Sequence, residues 1–270
     1  MPSAGPDVPA LLAQLPGVAA AAASARAAVD DLLWDRTLRA NAAAVAAQAL
    51  LQSARADAAL EGADLGLAAF ASGAAFDDSP IGRVAAASLR LHHGLRGLTA
   101  TVDHAPSQAL AALHRLAAGG LDTDARVGRP RNDDVADDPL RIGGALPGPA
   151  EVAARLDALT GVLRRPTTAP ALVVAGLVHG ELLALRPFGW GSGLVARAAA
   201  RLVLSARGVD PDLLLVPEEG VLAAGRPAYV AAIRGYATGA PDGVASWLVL
   251  TCRTVAAGAA QTRTLLAQLA

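Results

Sequence analysis

The chain has 270 residues, 53% hydrophobic and 17% charged, enough to bury a core and too apolar for disorder over most of its length. A formal net charge of -1, with arginine in place of any lysine, provides no basic face for nucleic acid. No run of about 18 apolar residues is free of charge and proline, which argues against a membrane span.

The opening "MPSAGPDVPALL" has neither the basic segment nor the apolar stretch of a signal peptide, so a cytoplasmic protein is expected. From Val18 to about Glu61, apolar residues recur at three- and four-residue intervals and predict helix. Asp77-Asp78-Ser79-Pro80 reads as a helix start, with Ser79 as N-cap and Pro80 at the first helical position. That helix continues through "IGRVAAASLRLHHGLRGL", and another over Ser107 to Ala118 ends at Gly119-Gly120. Leu121 to Pro149 loses the periodicity and reads as irregular, with a short hairpin expected between Val127 and Leu140 to Ile142. Asp133, Asp134, Asp137 and Asp138 read as a solvated loop, because they lack the regular oxygen spacing of a calcium loop. Helices resume over Pro149 to Arg164, Ala169 to Leu185, Gly193 to Ala206, Arg226 to Tyr236 and Gly243 toward Ala270. Cys252 lies alone in the apolar "WLVLTCRTV", which predicts a buried, inert thiol and excludes an internal disulfide or a cysteine zinc site. His92, His93, His104 and His114 show no metal-ligand spacing and read as ordinary helix-surface residues. With no internal repeat and no linker, an all-α single domain with one small irregular or hairpin element is expected.

Between two of these helices stands "LRPFGWGSGLVAR", with Gly189, Gly191 and Gly193 at alternate positions. Glycines at the mouth of a helix bring backbone N–H groups to the positive end of its dipole, an arrangement suited to an anion. His179 to Leu204 resembles the signature region of the Fic/Doc (Fido) family, whose pattern is His-Pro-Phe, one residue, Asp or Glu, then Gly-Asn-Gly-Arg and a second arginine. Pro187, Phe188, Gly191, Gly193 and Arg197 match it. Arg186 replaces the histidine, Trp190 the acidic residue, Ser192 the asparagine and Leu194 the first arginine. Upstream, "DAALEGAD" is similar to the family's inhibitory-helix motif through Glu61 and Gly62, with Asp57 at its hydroxyl position. Tyr229 and Trp247 fall at commonly aromatic positions of the C-terminal core. The resemblance spans roughly residues 40 to 260. It implies a Fic-like helical bundle over 1–270, with N-terminal helices over 1–75 carrying the inhibitory segment near 53–62, a flap over 121–149 and a core over 150–260.

The same resemblance implies transfer of a nucleotide from a magnesium-bound triphosphate to a protein hydroxyl, and the substitutions remove the groups that do it. A guanidinium has no free lone pair, so Arg186 cannot serve as the base, a loss of roughly 100- to 10,000-fold. Trp190 offers one N–H and no oxygen for magnesium. Leu194 deletes a phosphate-binding charge, and Ser192 keeps only a short hydroxyl. His179 lies seven residues before Arg186, about 10.5 Å along the helix, and reads as a satisfied core histidine rather than a substitute base.

The expected function is therefore a catalytically degenerate binding or interaction module for an unidentified protein partner, with no cofactor. Two arrangements of its loop are open. In one, Arg186, Gly191, Ser192, Gly193 and Arg197 hold a phosphate or nucleotide without turnover. In the other, Arg186 pairs with a flap aspartate and Trp190 fills the vacated cleft. The alternative function is an active AMPylating transferase of atypical chemistry, which alone would require ATP and magnesium. A Glu61–Arg197 ion pair is expected to lock the N-terminal helices onto the loop helix. The alanine-rich helices are also compatible with a homodimer.

Overall fold

Capping residues divide the chain into thirteen α-helices among the described residues, 6–269, of the computed structural model. Asp7 caps α1 (Val8–Ala13), accepting from Ala10 N at 3.2 Å. The helical run expected from Val18 to Glu61 is two helices, α2 (Val18–Leu33) and α3 (Arg36–Leu60). The break falls at Asp35, whose carboxylate accepts from Thr37 N at 2.7 Å and starts the second helix. After α4 (Leu67–Ser72), Ser79 caps α5 (Pro80–Gly94) as expected, its hydroxyl accepting from Gly82 N at 3.0 Å. A single 3₁₀ turn then leads to α6 (Thr101–His104) and α7 (Pro106–Ala118). The irregular segment follows, and beyond it lie α8 (Pro149–Arg164), α9 (Ala171–Leu185), α10 (Ser192–Ala206), α11 (Pro217–Ala224), α12 (Arg226–Ala237) and α13 (Pro241–Leu269).

The expected hairpin between Val127 and Leu140–Ile142 is absent. Among the described residues there is no strand, only one isolated bridge between Gly119 and Asp122. The segment 121–148 spends its backbone groups on other partners. Arg131 N donates to Pro187 O at 2.8 Å and Asp137 N to Gly189 O at 2.9 Å, so the flap pairs with the loop and forms only local turns within itself.

Helix α9 is apolar around most of its circumference, His179 and Glu181 excepted, and packs most extensively on α10. Helix α13 crosses α9 closely because Gly176 and Gly180 carry no side chain. A Cβ on Gly180 would overlap the rings of Trp247 and Tyr236, and Trp247 Nε1 donates to Gly176 O at 2.8 Å. By length and composition α13 would be long and apolar enough to cross a membrane, yet half of its most apolar window is buried in this fold. Cys252 is 1% exposed on α13, and burial pushes its thiol up to about 12, as the apolar context predicts. The opening residues 1–5 of the expected leader-free start lie outside the described residues.

Candidate functional site

The loop joining α9 to α10 is held in shape by Ser192 from within and by Arg131 of the flap. Arg186 closes α9 in the left-handed region, at φ 46° and ψ 64°, a conformation that a non-glycine residue keeps only when its surroundings hold it. Arg131 supplies that restraint by donating from Nε to Arg186 O at 2.8 Å, while its other nitrogens reach Asp133 O and Pro147 O at 2.6 Å each. Ser192 ties the loop from within: its hydroxyl accepts from Phe188 N at 3.0 Å and donates to Phe188 O at 3.1 Å. Gly191 precedes α10 at φ 73°, which leaves the N–H groups of the helix mouth facing the flap.

That mouth already faces carboxylates. Asp137 Oδ2 accepts from Gly191 N at 3.0 Å. The Glu61 carboxylate lies so close to Gly193 that a Cβ there would overlap it. Arg186 is 6% exposed and spends its guanidinium on the flap, donating to Asp138 Oδ2 at 3.2 Å and Gly143 O at 3.0 Å. The space enclosed by Arg186, Ser192, Gly193, Glu61 and the flap is about 10 Å³, room for roughly one water. Of the two arrangements read from the sequence, the pairing of Arg186 with a flap aspartate is the one present. The plug, however, is the flap and not Trp190, which is half-buried against the core and does not line this space. Asp137 and Asp138, read from the sequence as solvated, are half-buried structural ligands. The reason is local: the Asp138 carboxylate also accepts from Ile142 N and Gly143 N at 2.8 and 2.7 Å, folding the flap back on itself.

Behind the mouth, α3 docks on α10 through charges spaced by whole turns. Arg197 is 3% exposed and pairs with both Asp57 and Glu61. One turn on, Arg201 Nη1 donates to Ser53 Oγ at 2.8 Å. Ser53, Asp57 and Glu61 thus meet Arg197 and Arg201 in register, every member four residues from the next. The expected Glu61–Arg197 pair is present, and Asp57, read from the sequence only as the residue at the motif's hydroxyl position, is Arg197's deeper partner. Asp57 also meets His92 Nε2 at 3.0 Å. Burial opposes its charge, but Arg197 and His92 hold its carboxyl below the usual range. For Glu61 burial wins against Arg197 and raises the carboxyl. The mouth shows the same sign: burial, then the Glu61 charge, lift Asp137 to about 7.

The histidines separate into two groups. His179 is a satisfied core residue as expected, 2.6 Å from Tyr229 Oη and edge-on to Trp247, and burial drives it down to about 3. His92 and His114 are corrected from surface to buried, at 4% and 0% exposed. His114 accepts from Gly128 N at 2.8 Å and contacts Trp190 O at 3.0 Å through Nε2, and its ring stacks on Phe188 at 4.0 Å. It therefore clamps the start of the flap to the loop. Nothing in its sequence neighbourhood marks it; the register of α7 against the loop does.

The donor set does not suit the magnesium that the resemblance implies. Position 190 carries an indole, the nearby Asp137 carboxylate is engaged by a backbone N–H, and Glu61 by Arg197. The described residues contain no cluster of three or more His, Cys, Asp or Glu side chains able to hold a metal.

No family model matches the chain, and no curated protein matches it in sequence. Solved structures match it in fold. A Fic family protein from Desulfovibrio desulfuricans G20 superposes with a TM-score of 0.74 at 18% identity, covering 91% of this chain and 74% of that one. Fic-1 of C. elegans gives 0.70 at 16% identity, over 94% of this chain and 74% of the other. A variant of Fic-1 gives 0.60 at 17% identity, over 90% and 71%. The chain has the helical fold of Fic family proteins.

Proposed function

We propose that this chain is a Fic-fold binding or interaction module that does not transfer nucleotides. The observation that carries this reading is the state of the loop: the helix mouth is met by Asp137 and Glu61, and Arg186 is committed to Asp138. A transferase needs a base to take the proton of the acceptor hydroxyl and a cation to neutralise the phosphates. Arg186 has no lone pair for the first task, and Trp190 has no oxygen for the second. His179 offers no rescue, since its Nε2 meets Tyr229 and burial keeps it from acting at ordinary pH. What the loop retains is anion chemistry: the Gly191 N–H, the Arg186 fork and the α10 dipole suit a phosphate or carboxylate. The expected ligand is accordingly an anionic group, free or carried on a protein partner.

Incubation of the protein with α-labelled ATP, magnesium and a panel of hydroxyl-bearing proteins tests the reading. The expected result is no covalent label on any protein, the chain itself included. Label that survives denaturation would establish the transferase instead.

A further inference from the structure

Segment 131–143 covers the loop, and two of its acids sit on loop donors. Asp137 sits on Gly191 N at 3.0 Å, and Asp138 on Arg186 at 3.2 Å. Beneath them, Arg197 Nη1 stands beside Gly193, 3.3 Å from where a Cβ would be; although Arg197 is 3% exposed, this nitrogen makes no hydrogen bond within the protein. Arg186 Nε, also buried, is likewise without a partner. Arg197 thus aims an unspent donor at a mouth whose N–H is taken by a carboxylate of the flap, and Arg186 holds another beside it. Resting on the anion-binding reading above, we infer that the flap is a lid whose Asp137 and Asp138 are built-in substitutes for the ligand, and that it swings away to expose the mouth.

The charges around Asp137 set the condition for opening. From α3 it faces Glu61; from its own segment, Asp138; from the loop, Arg186 and the Gly191 N–H. Arg197 on α10 and Arg226 at the start of α12 partly neutralise Glu61, whose charge raises Asp137. Closed, Asp137 holds its proton to about 7; swung into water, it returns to an ordinary carboxyl near 3.8. The closed lid therefore binds the proton more tightly. Closure is favoured in mild acid, and its advantage is lost as pH rises through 7. Between pH 6 and pH 8 this difference multiplies the open population by about tenfold.

Hydrogen exchange read by mass spectrometry, corrected for the intrinsic pH dependence of amide exchange, tests the lid on the intact chain. The reporters are the Arg131 and Asp137 amides, which donate to Pro187 O and Gly189 O only while the lid is shut. Wild type is expected to lose about tenfold of protection there from pH 6 to pH 8, while α9 and α10 lose none. Asp137→Asn keeps an acceptor for Gly191 without the titration and should hold its protection at both pH values. The exposed Asp134→Asn should behave as wild type. Flap protection that does not change with pH in wild type, or that still changes in Asp137→Asn, overturns the lid. Label transfer in the nucleotide assay would defeat the non-catalytic reading and leave this result standing.

Discussion

At the scale of single residues, the two carboxylates on Arg197 are not equivalent, although they look alike in the sequence. Asp57 is held charged by Arg197 and His92, so its contribution is present above the ordinary carboxylate range and lost in acid. Glu61 has its carboxyl raised by burial, so its contribution is fullest in acid and fades as pH rises. Asp57→Asn leaves Arg197 and His92 facing a neutral group and is expected to cost about 3–5 kcal/mol. Glu61→Gln keeps a hydrogen bond to Arg197 and removes a buried charge that the fold disfavours. At pH 8 it should melt at or above wild type. Urea or thermal unfolding of both variants checks this; equal losses would show that Glu61 is as much an anchor as Asp57.

At the scale of elements, much of the arrangement can be read from residue types and spacing, and the failures have a common cause. Ser79-Pro80 and the glycines after α7 mark helix ends because capping is local chemistry between neighbours. The docking of α3 on α10 is written as Ser53, Asp57 and Glu61 against Arg197 and Arg201, but only as two separate four-residue spacings. Their pairing spans some 140 residues of chain and needs the fold to bring them together. The flap failed differently: a hairpin was expected where Asp138 bends the backbone and Arg131 ties it to the loop, contacts that no periodicity encodes. Helix α9 tests what packing alone demands. Gly180 reads as a weak helix residue, but its missing Cβ is what seats Trp247. Gly180→Ala would raise intrinsic helix propensity by roughly 1 kcal/mol, yet we expect a net loss of about 1–3 kcal/mol from overpacking in equilibrium urea unfolding. A stabilised Gly180→Ala protein would mean that α13 yields at this crossing.

At the scale of the whole molecule, pH acts in opposite directions on the buried histidines and on the raised carboxyls Glu61 and Asp137. His179 is neutral in the core, about 3 against an ordinary 6.5, and burial depresses His114 as well. The unfolded chain takes up protons at these positions below about 6.5 while the folded chain does not, so stability is present above that pH and falls in acid. Each such histidine removes at most about 1.4 kcal/mol per pH unit over its window. Asp137 has the reverse sign, since its proton favours the closed flap and is lost toward about 7. The two signs oppose each other in mild acid: as pH falls below about 6.5 the histidines withdraw stability while the raised carboxyls restore part of it. Urea midpoints measured from pH 8 down to pH 4 should therefore fall less, or rise more, in His179→Gln than in wild type, and fall more, or rise less, in Asp137→Asn. Midpoints that rise and fall with flap protection across the pH range would mean that lid and core open as one unit. Independent behaviour is what a device needs if it is to expose a binding mouth without unfolding the bundle that shapes it.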